Sequence, residues 1–311
     1  MRATLDRAYG GVRSAAGALV ETGREWIADK ASTYAGDLSF RVVLALAPLV
    51  IIAVAVVGLV YQNTVVLDEL LGKADDYLGQ QTADAIRIVL DNMASPKASA
   101  VALVIGAVTL LWAAAGAFRS LQKSLNAVWN VSPAPLSKDR RRLLPFILNH
   151  LAMLALVLAL GLALAALLAL ASAWSIVAGR VAGFLPDSQL ALRGLDFIFG
   201  LALATVAFAI LFSAVPLGRL PQRYVWLSGL VTAFLFSLGR IGFGIYMSYS
   251  GTASAYGAAG SLIVFLLWVY YSTMIMFFGA ELAQVWARRR GVEVEPRRGA
   301  VRMAPAAPLD E

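Results

Sequence analysis

From Gly260 to Ala283 the sequence reads GSLIVFLLWVYYSTMIMFFGAELA, and its one acidic or basic side chain is Glu281. At about 1.5 Å per helical residue, such a run crosses a bilayer core of roughly 30 Å. It is a membrane crossing and no soluble core helix. Arg288, Arg289 and Arg290 follow, and a basic cluster at the end of a crossing is held on the cytoplasmic side during insertion. Gly279 and Ala280, beside Glu281, leave room for a neighbouring helix to approach.

The rest of the chain has the same character. With 60% hydrophobic and 14% charged residues, 311 residues fall outside the range of an ordinary soluble domain. The net charge of +7 is explained by Lys and Arg on loops flanking a membrane, and no soluble basic face with interleaved aromatics points to nucleic acid. No cysteine is present, so there is neither a disulfide framework nor a thiolate metal site.

Residues 1–35 are charged throughout and lack the layout of a signal peptide, so they are expected to stay in the mature protein. Leu5, Tyr9, Val12, Ala16, Leu19, Val20, Trp26 and Ile27 recur loosely at helical spacing, which predicts a cytoplasmic amphipathic arm lying at the membrane surface. The first crossing is expected from Leu38 to Tyr61 with Pro48 inside it, where proline removes one backbone hydrogen bond and kinks the helix. Residues 62–98 are polar and acidic with leucines and isoleucines at helical spacing, and read as an amphipathic segment outside the membrane. The second crossing runs from Ser99 to Phe118. The tract Leu143 to Gly179 would be about 55 Å long as one helix, beyond a bilayer core, so the crossing proper is placed from Leu151 to Ile176. The remaining crossings are Phe197 to Pro216, Tyr224 to Met247, and Gly260 to Ala283.

Charge orients this scheme. Lys and Arg crowd the arm, the stretch from Arg119 to Arg142, the loop holding Arg219 and Arg223, and the tail, whereas the alternate loops hold only Lys73, Arg87, Lys97, Arg180 and Arg193. The expected fold is therefore an all-α membrane protein of six transmembrane helices with amphipathic flanking helices and both termini cytoplasmic. Residues 36–284 form the membrane domain. Residues 285–311 form a basic and then disordered tail, since the part after Arg290 shows no apolar periodicity.

Four stretches in order carry a resemblance: GDLSFRVVLALAPLV, SLNAVWNVSPAP, AVPLGRLPQRYVWLSGLVTAFLFSLGRIGFGIYM and YGAAGSLIVFLLWVYYSTMIMFFGAEL. Together they resemble the YihY, or virulence-factor BrkB, family of bacterial inner-membrane proteins over most of residues 35–283. The resemblance implies a six-helix membrane domain in the bacterial inner membrane with a poorly defined activity. Asp37 and Arg41 depart from the family pattern, whose members look neutral there.

The family has also carried a ribonuclease label, which the residues do not support. Metal-dependent hydrolysis needs a cluster of His and carboxylate ligands, and His150 is the one histidine. No Walker loop, GxSxG elbow or HExxH is present. No enzyme activity and no cofactor are expected. Two classes remain. One moves or handles a lipid or other anionic amphiphile, because ionisable residues inside helices are costly and mark pathways. The other is a structural or assembly protein of the envelope, whose segment 62–98 docks an envelope partner. No internal inverted repeat is visible, which weighs against a secondary transporter.

The candidate polar residues are Asp37, Arg41, Asn126, His150, Asp196, Arg240 and Glu281. Asp37 and Arg41 stand four apart on one helical face, and Arg41 is expected to pair with Asp37, Glu281 or both. Asn126 and His150 are placed at similar depth. Arg240 lies about 24 Å along the fifth crossing from Tyr224, and two fates are open to it. It snorkels to Asp196, or it presents its planar fork to a lipid phosphate in space left by Gly239, Gly242 and Gly244. Those glycines and Pro48 are candidates for hinges or for close packing.

Overall fold

The computed structural model describes residues 17–52, 96–134, 143–184, 189–250, 260–297 and 299–303. The expected outer segment lies almost wholly outside these residues. Helix α1 covers residues 17–28 and is followed by α2 (Ala31–Leu44), α3 (Pro96–Val128), α4 (Leu143–Phe184), α5 (Gln189–Ala214), α6 (Gln222–Ser250) and α7 (Gly260–Arg288). Among the described residues, six helical stretches are long and apolar enough to cross a membrane: Ala31–Ile52, Leu103–Val128, Ala155–Arg180, Gly194–Ala214, Gln222–Met247 and Gly260–Arg288.

Helix ends follow local chemistry. Lys30 takes a positive φ of 54° and separates α1 from α2. Asn130 does the same after α3, at 52°, and asparagine is among the few side-chain-bearing residues that tolerate this region. Gly291, at 69°, ends α7, and the amide of Val292 donates back to Ala287 O at 2.9 Å. That six-to-one bond satisfies a terminal carbonyl of the helix. The first span breaks before its proline: the amide of Ala45 is shared between Arg41 O and Val42 O at 3.2 and 3.1 Å, and helix resumes at residue 46. Pro48 is buried within the resumed segment. α4 is one continuous helix of 42 residues, about 63 Å at the usual rise, so the surplus length foreseen for this tract stays helical.

The chain divides into two compact units, and the division falls within α2, α3, α6 and α7. Unit 2 comprises residues 36–118 and 243–271. In it Gly106 faces the first span so closely that a Cβ would stand 2.9 Å from Ile52 Cγ1. Phe243 packs on Trp268 and Tyr271, with ring centroids 5.2 and 6.4 Å apart.

Unit 1 comprises residues 1–35, 119–242 and 272–311, and it holds most of the buried core. Trp129, Phe212, Phe277, Leu125, Leu282 and Val285 are fully buried there. Small polar residues share that interior because their hydroxyls are satisfied within their own helices. Thr22 donates to Ala18 O, Ser124 to Ser120 O and Thr232 to Ser228 O, at 2.8, 2.9 and 2.6 Å. Such residues let helix backbones come close without leaving an unpaired group. Gly279 is the tightest point, where an added Cβ would overlap Thr232 Oγ1, as the small pair Gly279 and Ala280 implies.

The tail corrects the sequence reading. After Gly291 it is ordered through residues 292–297 and 299–303, and it supplies strands to two antiparallel pairs. β2 (Gly218–Arg219) pairs with β3 (Glu295–Pro296), and β1 (Val131–Pro133) pairs with β4 (Ala300–Arg302). Each tail strand meets the loop after an earlier span, and this pairing with distant partners substitutes for the periodicity that the tail lacks.

Candidate functional site

The last turns of α7 form the polar centre of unit 1. Glu281 is 1% exposed and its Oε2 has no hydrogen-bond partner among the described residues. Its charged neighbours are Glu25 and Asp29 near the end of α1, and Arg288 one helical stretch further on. Two carboxylates and one guanidinium thus surround a buried carboxyl. Arg288 is held from the other side by Glu21 at 2.5 Å and by Glu25, and Arg289 Nε donates to Glu21 Oε2 at 2.7 Å. These guanidinium contacts hold the Glu21 carboxyl below the usual range against a smaller desolvation effect. Asp29 is pushed the other way, by burial first and by the Glu25 charge second.

Residues 1–16 of the expected arm lie outside the described residues, and its described part is clamped on α7 through ionic and aromatic contacts. Trp26 Nε1 donates to Met274 O at 3.2 Å, its ring meets Phe278 edge-on at 6.5 Å, and Tyr34 meets Phe277 similarly at 6.4 Å.

Asn126 is buried, and its Oδ1 accepts from the Leu217 amide at 2.7 Å. Gln122, one turn earlier, donates to Val215 O at 2.9 Å. Two side chains of α3 thereby fix the turn between α5 and α6. Trp129 completes this lock: its Nε1 donates to Ala280 O at 2.9 Å, and a Cβ added at Gly218 would stand 3.1 Å from its ring. Asn126 has a structural occupation in the turn. Sequence reasoning missed Gln122 and Trp129, because Gln122 is one of several polar residues in the RSLQKSLNAV end of α3 and Trp129 reads as an ordinary apolar residue just past it.

Of the two partners offered for Arg41, the structure has Asp37, with both carboxylate oxygens 3.1 Å from Nε. The pair is exposed, and the Gly116 Cβ position lies 3.8 Å from the Arg41 guanidinium. His150 lies on α4, and its side chain falls outside the described residues.

Arg240 and Asp196 do not pair. Asp196 Oδ1 instead accepts from Trp174 Nε1 at 2.7 Å, and Trp174 stacks on Phe199 with centroids 4.5 Å apart. Arg240 is exposed, with no hydrogen bond or ion pair among the described residues. Gly242 and Gly244 have nothing within 4 Å of a built Cβ, so they are not close-packing positions, and α6 runs unbroken through them. Among the described residues, the glycines that admit close neighbours are Gly17, beside the Arg289 guanidinium, and Gly106, Gly218, Gly229 and Gly279.

Among the described residues no three of His, Cys, Asp and Glu are grouped as ligands for a metal ion.

Comparison with known proteins places this arrangement. The Virulence factor BrkB family matches over residues 22–304. A UPF0761 membrane protein of Alkalilimnicola ehrlichii is 28% identical over 256 residues, which is 81% of this chain and 54% of that protein. One from Halorhodospira halophila is 26% identical over 257 residues, 82% of this chain and 54% of its own length. A UPF0761 membrane protein of Pseudomonas paraeruginosa is 40% identical over 109 residues, 32% of this chain and 26% of the relative. The chain thus spans about half or less of the length of these curated relatives. No solved structure matches. Since the family match runs from α1 through the tail strands, this multi-pass membrane protein belongs to the Virulence factor BrkB family.

Proposed function

We propose that the protein resides in the bacterial inner membrane with both chain ends toward the cytoplasm, and that it moves or handles a lipid or other anionic amphiphile through Arg240 rather than catalysing a reaction. The observation that carries this reading is an exposed guanidinium on a spanning helix with no ion-pair partner among the described residues, while Asp196, the partner expected from its depth, is engaged by Trp174. An unpaired charge within a span is costly unless it serves a path or a ligand. A guanidinium offers a planar fork that matches a phosphate oxyanion.

A second reading, that of a structural or assembly protein, draws on the dense core of unit 1. A reconstituted-vesicle assay of lipid movement separates the two. Arg240→Ala should abolish movement, Arg240→Lys should lose most of it, and Asp196→Asn should keep it. If Arg240→Lys retains full function while Asp196→Asn matches Arg240→Ala, Arg240 is a structural residue. Orientation is tested separately: in this cysteine-free chain, Asp76→Cys should react with an impermeant thiol reagent from outside intact cells, and labelling only after disruption would reverse the topology.

A further inference from the structure

A second cationic feature of unit 1 lies away from Arg240. Between the end of α5, the β2–β3 pair and the start of α6 there is a cavity of about 300 Å³ whose lining includes Ser213, Arg219, Gln222 and Arg297. That volume is at the lower end of small-molecule sites. None of its described lining residues is acidic.

Three donor groups converge there. Arg297 Nη2 donates to Ser213 O near the end of α5, which satisfies a terminal carbonyl of that helix. Its Nε, however, is buried with no hydrogen-bond partner among the described residues, and capping α5 does not explain it. Arg219 is the second group. It stands opposite Glu295 in the strand register, yet no ion pair joins the two, and its charge adds to burial in pushing the Arg297 guanidinium below its usual range. The third is the N-terminus of α6, a helix of 29 residues. It starts directly after Pro221, whose carbonyl accepts from the Tyr224 amide at 3.0 Å, and among the described residues no side chain caps the two amides before it. Free amides and the helix dipole at such an end favour an anion.

Two like charges brought together, one with a buried unsatisfied donor, stand at a helix start with no carboxylate in the lining. We propose that this cavity binds a phosphate-type oxyanion, between the Arg219 and Arg297 guanidinium groups and the first amides of α6. The anion offsets the repulsion between the arginines, accepts from Arg297 Nε, and ties the tail to the turn between α5 and α6. It comes either as free phosphate or as the headgroup of an anionic phospholipid.

The test uses the full chain in nanodiscs of phosphatidylcholine alone or with phosphatidylglycerol, titrated with inorganic phosphate and, separately, with chloride at matched ionic strength. Thermal unfolding is the readout, because a ligand selective for the folded state raises Tm with concentration. Phosphate should raise Tm beyond chloride. Arg219→Gln should weaken the phosphate effect roughly tenfold, the size of one charge-assisted contact. Arg297→Lys, which keeps the charge but lacks Nε, should weaken it similarly, and it is the milder companion should Arg297→Ala fail to fold. A phosphate shift of equal size in both nanodiscs identifies free phosphate as the ligand. A shift that phosphatidylglycerol pre-empts, itself raising Tm in an Arg219-dependent way, identifies the lipid headgroup. No gain over chloride with either source, or gains that survive Arg219→Gln undiminished, overturns the site.

Discussion

α4 and the second half of α7 are both apolar spanning helices of unit 1, yet they keep opposite company. The α4 span, Ala155–Arg180, has the highest mean hydropathy of the six, 2.6, and none of its window is buried; Leu162 and Leu168 are 72% and 69% exposed. The α7 span has mean hydropathy 2.0, and Phe277, Ala280, Glu281, Leu282, Ala283 and Val285 are all 1% exposed or less. In water the greasier helix would sit in the core. In a bilayer, lipid is as apolar as leucine, so helix contacts are selected for small residues, satisfied hydroxyls and close backbones. Hydropathy marks which helices enter the membrane, and the small and polar residues mark which of them pack.

That contrast can be broken at Gly279. Gly279→Ala places a methyl into Thr232 Oγ1 and should cost about 2 kcal/mol or more by overpacking, seen as a lower Tm in detergent or as loss of folded protein. Thr232→Ala in the same chain should recover part of it. Full stability of Gly279→Ala would mean that α7 is no tighter than α4. Trp129→Phe should follow, costing about 1 kcal/mol or somewhat more, because the ring stays while Ala280 O loses its donor; urea or thermal unfolding measures it.

The ionic clamp between α1 and α7 gives a smaller, pH-dependent effect. The Glu21 carboxyl is held below its ordinary value, so its contribution is present above the unfolded value and is lost as pH falls through the folded one. Stability should decline on acidification below pH ~4.5, and Glu21→Gln should flatten that part of the curve. Asp29 has the opposite sign. Its carboxyl is raised by burial and by Glu25, so its contribution is complete at low pH and lost as pH rises through the folded value. Asp29→Asn should therefore raise Tm at neutral pH, and a lowered Tm would mean that the carboxylate has a favourable partner. The smallest effects belong to α4, where Leu162→Ala and Leu168→Ala should each change stability by less than ~0.5 kcal/mol. A loss of core size at either position would show that α4 is covered by protein.

How much of this was legible follows from the range of each signal. The six spans are read from local hydropathy, and the close approach at Gly279 from two adjacent small residues. The clamp of Glu21 on Arg288 joins positions 267 residues apart, and nothing local to either announces it. The tail strands are two and three residues long, too short for alternation to show, so the tail reads as structureless although it pairs. For Arg240, sequence spacing put Asp196 at a matching depth but said nothing of Trp174, whose indole reaches the carboxylate from another helix. Sequence left Gly242 and Gly244 open between hinge and close packing, whereas contact geometry finds close packing at Gly106, Gly218, Gly229 and Gly279.

The two strand pairs also set an order of events. β1 and β2 precede their partners in the chain by 169 and 77 residues, counting Val131 to Ala300 and Gly218 to Glu295. A ribosome delivers all six spans before it makes either tail strand. The turn after α3 and the turn after α5 must therefore wait, each with an unpaired edge, through the synthesis and insertion of everything between. Only when residues 295–302 have emerged can both edges close, so a nascent chain halted at Arg290 would carry all six described spans and still lack its finished loops.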